Sequence, residues 1–424
     1  MGGSRSPSLR TAAPPAVRDV VSCWTSRAEA LGCQRSAPGR RRALSRSPHR
    51  RRAARRGRVR ARRHTVPATD RGSGISMPDD VALPAAEATG EVPVASGGGR
   101  LRWADLPLAL RDELEAVAGG RVVQERSVTT GFSPGLASVL TFDDGSRLFV
   151  KAARTADEPV AADLHRAEAK VATRLPRAIP APRFAWGHGD GDWIALAYDV
   201  VDGHVPTTPW DPDELDRVLA TLVSVAAVPG ARAMRLPPTG PDFADMATGW
   251  RALRDDPDPR LAEVVPWAAA HLDDLAEAER GALVACEGES FVHGDLRADN
   301  VLLTPEKVYL VDWPYASRGA AWLDLAMLLP SVVMQGVAGV SEPVTVSADA
   351  ARRARGGAWA ASTFAAHPLG RDVHPADLRS VVAGIAGYFL HSARKPAVPT
   401  IPRLRAFQRA QGVAAVAWLE RLGL

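Results

Sequence analysis

The sequence predicts an α+β protein with a small lobe built on an antiparallel sheet and a larger, mostly helical lobe. In the range 106–201, short β-branched and aromatic runs alternate with turn signals such as Asp144-Gly145, which is typical of a hairpin. From residue 211 onward, apolar residues recur at helical spacing. One further hairpin, 301–311, interrupts these helices. The change of pattern near residue 203 indicates a hinge between two lobes.

The elements of the small lobe follow one another closely. The pattern predicts a helix over 106–117, a strand over 121–124 and a turn-rich loop over 131–135, followed by strands over 136–142 and 148–151, a helix over 158–175 and a strand over 193–201. The Asp-Gly turn joins the two central strands, so the sheet is expected to be antiparallel.

The large lobe is predicted to contain six helices. Their ranges are 213–226, 243–254, 259–283, 323–334, 378–393 and 404–422. The longest apolar stretch, 325–340, contains a proline and a glutamine and is too short to span a bilayer comfortably, so it predicts a buried helix or helix pair. The sequence therefore predicts no membrane partner.

The first 76 residues differ in composition from the rest of the chain. They hold nineteen arginines, no lysine and three acids, so this head carries +16, whereas residues 77–424 carry −11. Such a segment cannot bury enough apolar surface to fold and is expected to be disordered. It has three interpretations: a basic arm for nucleic acid or anionic membrane, a targeting peptide, or a miscalled start with translation beginning at Met77. Composition favours the third, since four lysines against 49 arginines are typical of a GC-rich gene.

The same patterns predict the domain boundaries, the class of partner and the location of the protein. Residues 77–104 form a linker rich in Pro, Ala and Gly, 105–203 the N-lobe and 204–424 the C-lobe. The acidic body gives no support for nucleic-acid binding, which would require the head to be translated. The three cysteines show no metal-binding or paired spacing, which indicates a reducing, cytoplasmic location.

The strongest chemical signal lies between residues 293 and 312. The segment reads H-x-D-x4-N from His293 through Asp295 to Asn300, and Asp312 follows at the end of the next hairpin. Phosphoryl transfer needs a carboxylate that orients the attacking hydroxyl, together with an amide and a carboxylate that hold Mg²⁺ against the phosphates. The alternative is a core histidine with acids in surface loops. The complete spacing favours phosphoryl transfer.

A second signal lies in the small lobe. Lys151 ends an apolar strand and Glu168 lies on the next helix, so the two side chains are predicted to pair and to anchor nucleotide phosphates. Glu158 and Asp163 on the same helix are alternatives to Glu168. A lysine at a strand end can also simply face solvent.

The loop 129–135 contains Gly131, Ser133 and Gly135, and its backbone N–H groups are candidates for contacts with phosphates. The same residues match G-x-S-x-G, the nucleophile elbow of hydrolases, although an elbow requires a helix directly after the serine. A plain hairpin loop is a further alternative. Because strand and hairpin patterns follow the loop, the hydrolase interpretation is disfavoured.

Tyr198, Asp199 and Val200 end an apolar strand just before the helical lobe. They are well placed to bind a purine edge through backbone groups, although an ordinary strand-to-helix connection explains them equally well. Asp324 begins an apolar helix, where capping or bracing a loop is a more probable role than catalysis.

These motifs together resemble the aminoglycoside phosphotransferase and choline kinase-like family. The octapeptide from His293 to Asn300 is similar to the family's H-G-D-x-x-x-x-N loop, Val311-Asp312-Trp313 to its I-D-W motif, and Asp324-Leu325-Ala326 to its D-L-A motif. The resemblance covers about 105–424. Arg297 is a departure, since relatives often carry His after G-D-L.

The resemblance implies a protein-kinase-like fold that uses ATP or GTP with Mg²⁺ to phosphorylate a hydroxyl of a small molecule. It implies that Asp295 is the catalytic base and that Asn300 and Asp312 are the metal ligands. It also implies that Lys151 and Glu168 anchor phosphates, that 131–135 is the nucleotide loop and that 197–200 is the hinge. A catalytically inactive nucleotide-binding module is the alternative. Residues 378–424 hold one acid and seven bases, which predicts a neutral or anionic acceptor rather than a polycation. The alternative is that acids from 204–290, such as Asp242 and Asp245, supply negative charge to the acceptor site.

Overall fold

The computed structural model describes residues 92–93, 100–128, 135–398 and 401–424, and the structural statements below concern these residues. The head 1–76 lies outside them, as do the candidate nucleotide-loop residues Gly131 and Ser133 and all but a few residues of the linker. Within the described ranges, no helix combines the length and the apolar character that a membrane span would need.

The small lobe is a five-stranded antiparallel sheet with the strand order β1-β2-β3-β5-β4. Its strands are β1 (Val122–Ser127), β2 (Leu136–Phe142), β3 (Arg147–Arg154), β4 (Phe184–Gly189) and β5 (Trp193–Asp199), and its helices are α1 (Leu108–Ala118) and α2 (Pro159–Ala172). A 3₁₀ turn, Trp103–Asp105, precedes α1, and its first backbone N–H donates to Glu125 of β1.

The two faces of this sheet pack against different helices because side chains alternate along a strand. Val150 and Ala152 of β3 join the cluster that contains Leu110 and Leu114 of α1. Ala153 of β3 lies in the opposite cluster, beneath α2. Lys151 has the same parity as Ala153, so its side chain also faces α2.

The large lobe is helical around one core that contains Trp210, Trp250 and Trp418. Its helices are α3 (Pro212–Ala226), α4 (Thr239–Asp242), α5 (Gly249–Asp255), α6 (Leu261–Val264), α7 (Pro266–Ala270), α8 (Leu272–Ala278), α9 (Ala282–Ala285), α10 (Leu323–Gln335), α11 (Ala350–Ala366), α12 (Pro375–Ala393) and α13 (Leu404–Leu422). The short strands β6 (Ser290–Val292) and β9 (Ser317–Gly319) pair with each other, as do β7 (Val301–Leu303) and β8 (Val308–Leu310).

The bilobal α+β architecture agrees with the sequence prediction, and β2 and α13 begin and end at the predicted residues. Two predicted helices are wrong in detail. The range 243–254 is interrupted at Thr248, whose φ of −136° is not helical. The range 259–283 is divided into several short helices, partly because Pro266 has no N–H and starts a new helix after the non-helical residue Val265.

Candidate active site

The loop after β6 is held in place by a buried carboxylate from the start of α10. Asp324 accepts hydrogen bonds from the backbone N–H of His293 at 2.8 Å and of Gly294 at 3.0 Å. The loop-bracing role expected for Asp324 is therefore present. His293 is buried and donates from Nε2 to the carbonyl of Val311 at 2.9 Å, so its ring ties the loop to the end of the β7–β8 hairpin.

Gly294 allows the loop to pass close to Tyr315. Its φ is +83°, in the left-handed region, and a Cβ at this position would lie 2.9 Å from the Tyr315 carbonyl oxygen. A larger residue would move the segment that carries Asp295.

Asp295 lies inside the cavity with a partner for each carboxylate oxygen. Arg297 Nη1 donates to Oδ1 at 2.9 Å, and Asn300 Nδ2 donates to Oδ2 at 3.2 Å. Burial raises the pKa of Asp295 to about 7, although the Arg297 charge acts in the opposite direction. A carboxylate with a pKa near neutrality is well suited to accept a proton from an alcohol.

The β7–β8 hairpin brings Asn300 and Asp312 together. The backbone N–H of Val311 donates to the backbone carbonyl of Asn300 at 3.0 Å. Asp312, the next residue, therefore lies close to Asn300. Asp312 has a φ of +66°, one of two such non-glycine residues in the described ranges. A left-handed aspartate is uncommon, and such backbone strain concentrates at functional sites.

Lys151 of the N-lobe pairs with one carboxylate from each lobe. Its Nζ forms an ion pair with Glu168 of α2 and a second one with Asp312 at 2.7 Å. Burial works against the charge of Lys151, but the two carboxylates outweigh it and raise its pKa. For Asp312, burial is outweighed by the Lys151 charge, which lowers the pKa of the carboxyl to about 2. Both groups are therefore charged at neutral pH.

The structure distinguishes among the three acids considered as partners of Lys151. Asp163 pairs instead with Arg166 at 2.8 Å on the outer side of the helix, and Glu158 precedes the first residue of α2. Glu168 is the acid of α2 that forms the ion pair with Lys151.

The predicted hinge residues lie around the same cavity, whereas Gly131 and Ser133 lie outside the described residues. Tyr198, Asp199 and Val200 all line it. The Tyr198 ring packs 5.7 Å from Lys151 Nζ, and the Asp199 side chain pairs with Arg183, so a purine would meet backbone groups here. Gly135, which directly precedes β2, has a φ of +103°, and a Cβ there would lie 2.4 Å from the carbonyl oxygen of Ala152.

The strand that follows Gly135 also bears on the hydrolase alternative. A nucleophile elbow continues into a helix, whereas this chain continues directly into β2. Ser133 itself lies outside the described residues, which resume at Gly135.

A cavity of about 780 Å³ between the lobes is lined by Lys151, Glu168, Asp295, Asn300 and Asp312. One half is lined by the sheet, α2 and the hinge, and includes Val139, Phe149, Lys151 and Glu168. The other half is lined by C-lobe residues that include Phe243, Tyr315, Tyr388 and Phe407. Asp295, Asn300 and Asp312 lie between the two halves. The arrangement can therefore hold two ligands with their reactive groups at the carboxylates.

Comparison with known families identifies the chain. The model of the phosphotransferase enzyme family, APH, matches residues 130–366. The chain belongs to this phosphotransferase family. Its bilobal architecture is protein-kinase-like, as predicted. The match extends from the loop before β2 to the end of α11 and so includes Lys151, Asp295, Asn300 and Asp312.

Solved structures with similar folds include several phosphotransferases. An aminoglycoside-3′-phosphotransferase of type VIII is 22% identical, covers 75% of this chain and 100% of its own, and has a TM-score of 0.36. A type I macrolide 2′-phosphotransferase is 17% identical over 72% of this chain and 98% of its own, with a TM-score of 0.43. A choline kinase from Cryptosporidium parvum Iowa II is 12% identical over 70% and 87%, with a TM-score of 0.41. No curated protein matches the chain.

The donor set of this phosphotransferase-family site fits Mg²⁺. The described ranges contain no group of three or more His, Cys, Asp or Glu side chains arranged to hold a metal ion. Mg²⁺ prefers oxygen donors and is commonly held by one or two carboxylates together with substrate phosphates. Asp312 and the amide oxygen of Asn300 are donors of that kind.

Several site residues were not predicted from the sequence. Arg297 donates to both Asp299 oxygens, at 3.0 and 2.9 Å, as well as to Asp295. Its two-residue spacing from each acid was the available signal. His165 on α2 lines the cavity and is buried, and Tyr315 covers Gly294. Both come from segments without a recognisable motif.

Proposed function

We propose that the protein transfers the γ-phosphate of ATP or GTP, with Mg²⁺, to a hydroxyl of a small molecule in the cytoplasm. The observation that carries this proposal is the junction of the two lobes. There, Lys151 is paired with Glu168 and Asp312, and Asp295 and Asn300 line the same cavity. The family match, the oxygen donors and the two-part cavity support it.

Each residue has a distinct task in the proposed reaction. Asp295 accepts a hydrogen bond from the acceptor hydroxyl and takes its proton as the oxygen attacks phosphorus. Arg297 and Asn300 each donate to this carboxylate, so they hold it in one orientation. Lys151 neutralises phosphate charge on the N-lobe side, and Glu168 fixes the position of its ammonium group.

Asn300 and Asp312 are the candidate ligands for Mg²⁺, which would offset the charge that develops on the transferring phosphoryl group. In the described state the Lys151 ammonium is paired with Asp312. Phosphates would compete with Asp312 for this ammonium, so Lys151 would release Asp312 when nucleotide binds. The hinge backbone at 198–200 and the apolar side chains Val139 and Phe149 would enclose the base.

An acceptor screen tests the proposal. Purified protein is incubated with Mg²⁺ and γ-labelled ATP or GTP and a panel of hydroxyl compounds, and transfer of label is measured by mass spectrometry. We expect label on a hydroxyl of at least one class of acceptor and far less of it with Asp295→Asn over the same time. Hydrolysis without any labelled acceptor would contradict the proposal.

The inactive-module alternative predicts a different result from the same protein. Calorimetry would then show binding of Mg·nucleotide, and no compound in the panel would become labelled. The intact set of Lys151, Asp295, Asn300 and Asp312 favours an active enzyme.

A further inference from the structure

An arginine from the segment before α1 lies at the nucleotide half of the cavity. Arg100 is half-buried and lines the cavity together with Lys151 and His165. It precedes the range 130–366 that the family model matches, in a part of the chain predicted to be a linker. Its place beside the cavity therefore follows from the structure and from no sequence motif.

The backbone of this segment is held at one end of the sheet. Arg100 forms a parallel β-bridge with Gly135, and the N–H of Leu101 donates to the Gly135 carbonyl at 3.2 Å. Two residues after Gly135, Ala137 of β2 lies opposite Lys151 of β3. Arg100 is therefore fixed at the end of the sheet where Lys151 borders the cavity.

The electrostatics of His165 place the Arg100 charge on the same side as Lys151. Burial, followed by the Lys151 charge, lowers the pKa of His165 to about 3, and the Arg100 charge acts in the same direction. Such an effect needs a short distance, because solvent and salt screen charges that lie far apart. Burial also lowers the pKa of Arg100 itself, so its charge is partly removed from water and would gain from a bound anion.

The acidic partners of Lys151 create a need for a second cation at this end. The Lys151 ammonium is paired with both Glu168 and Asp312, so it faces two carboxyl groups before any ligand binds. A nucleotide adds the negative charge of its phosphates, which Mg²⁺ and one lysine would otherwise have to offset alone. A guanidinium gives phosphate oxygens a planar pair of N–H donors, and Arg100 is placed to supply them.

Another arginine that lines the cavity lies at its opposite end. Arg126 of β1 pairs across the sheet with Val139, which in turn lies opposite Phe149, and these two apolar residues are proposed to enclose the base. A hydrogen bond from Arg147 lowers the pKa of Asp202 near the hinge, and the Arg126 charge adds to this shift. Arg126 therefore lies at the hinge end of the cavity.

We propose that Arg100 binds a phosphate group of the nucleotide beside Lys151. Lys151 then supplies a single ammonium from β3, and Arg100 supplies a pair of donors from the side of Gly135. The segment before α1 is thus part of the nucleotide site. This inference rests on the proposed function and adds a phosphate-binding residue to it.

The contribution of the phosphates to binding tests this inference. Calorimetry, with displacement titrations for the weaker ligand, gives the Kd of adenosine and of Mg·AMP-PNP for the full-length protein, or of guanosine and Mg·GMP-PNP if the guanine nucleotide binds more tightly. The ratio of the nucleoside Kd to the nucleotide Kd measures what the phosphates contribute. We expect Arg100→Met to lower this ratio by about ten- to a hundredfold, as for the loss of hydrogen bonds to a charged group, and to change the nucleoside Kd by less than about twofold.

Three further variants separate a direct contact from a general effect of charge. Arg102→Met removes an exposed arginine two residues along the same segment and should leave the ratio unchanged. Arg126→Met removes a positive charge from the hinge end of the same cavity and should lower the ratio by less than about threefold. Arg100→Lys keeps the charge without the planar donors and should restore part of the ratio that Arg100→Met loses.

The outcomes separate this inference from the proposed function. If neither Mg·AMP-PNP nor Mg·GMP-PNP binds the wild-type protein, the proposed function fails and this inference fails with it. If nucleotide binds and Arg100→Met leaves the ratio unchanged, the inference alone is overturned, whether or not the nucleoside and the nucleotide both lose affinity. An equal loss in Arg100→Met and Arg126→Met would also overturn it, because that result would show a general effect of charge.

Discussion

Asp295 and Asp312 line one cavity but have different partners, so their loss should have different effects. Asp312 pairs with Lys151, whereas Asp295 is bound by Arg297 and Asn300. We expect Asp312→Asn to weaken metal-dependent nucleotide binding and to abolish transfer. Asp295→Asn should keep Mg·nucleotide affinity within a few-fold and lower kcat by ~10²–10⁴-fold, as is typical of losing a general base.

Calorimetric titration of Mg·nucleotide and steady-state turnover give both quantities for each variant. Circular dichroism checks the fold, because Asp312 also holds its loop. The assignment of roles would be wrong if Asp295→Asn turned over normally, or if both variants lost nucleotide affinity equally.

His165 provides a test of pH dependence at the residue scale. Burial, with a further contribution from Lys151, lowers its pKa to about 3, below the ordinary value of about 6.5. The unfolded chain therefore binds a proton that the folded protein excludes, so the free energy of unfolding should fall as pH decreases from about 6.5 towards 3. Each pH unit in that window corresponds to at most about 1.4 kcal/mol.

We expect His165→Met to flatten this decline, as measured by urea unfolding at several pH values. His204→Met, at an exposed site, is the control and should retain the wild-type slope. Identical slopes for wild type and His165→Met would contradict the assignment of a neutral buried imidazole.

Candidate site residues could be predicted from the sequence where a motif specifies the residue types and their spacing. The spacing from His293 to Asp312 led to the carboxylates, and the strand–helix order led to Lys151 and Glu168. Sequence reasoning could not identify the contact between the Arg297 guanidinium and the Phe407 ring. That contact depends on how α13 packs over the catalytic loop, which no local pattern encodes.

At the scale of elements, the contact between α11 and α13 depends on a glycine. A Cβ on Gly357 would lie 1.9 Å from the carbonyl oxygen of Ala417, and a backbone atom cannot move away cheaply. We expect Gly357→Ala to lower the free energy of unfolding by about 1–3 kcal/mol, the usual range for overpacking. Thermal or denaturant unfolding measures this change.

Gly240→Ala is the matched control for that substitution. Gly240 lies in α4, and the nearest atom that a Cβ would meet is the Leu283 carbonyl oxygen at 3.9 Å. The control should be neutral or stabilising by up to about 1 kcal/mol. If Gly357→Ala were equally well tolerated, the close approach of the two helices would be refuted.

Elements were predictable where the pattern was long or the turn chemistry clear. The helix α13 and the strand β2 met those conditions. Strand β4 was missed because Gly187 and Gly189 weaken its β signal, and α11 because Arg352, Arg353 and two central glycines obscure its apolar stripe. The three-residue pair β6 and β9 is too short to show a period.

At the scale of the whole molecule, a few polar contacts connect the lobes. Arg174 of the N-lobe donates to the carbonyl of Met234, and the backbone N–H of Leu310 donates to the carbonyl of Pro180. Lys151 forms an ion pair with Asp312 of the C-lobe. The order of the lobes was predictable because strand and helix patterns occupy separate parts of the chain. Their approach was not, because it depends on side chains that lie 161 positions apart in the sequence.

The ion pairs of Lys151 predict how nucleotide binding stabilises the whole protein. A ligand at 100 times its Kd adds about 2.7 kcal/mol to the free energy of unfolding. Lys151→Met removes a phosphate anchor and leaves Glu168 buried without its cation, so we expect lower stability without ligand and little gain from Mg·AMP-PNP. Lys170→Met makes the same substitution at an exposed site of α2 and should gain as much as wild type.

Thermal unfolding with and without Mg·AMP-PNP measures both effects in all three proteins. The two effects have separate causes, because stability without ligand reports the buried ion pair and the gain on adding ligand reports the phosphate contact. A lower Tm in Lys151→Met with a wild-type gain would restrict Lys151 to a structural role. An unchanged Tm with a lost gain would instead mean that the pairs with Glu168 and Asp312 contribute nothing to folding.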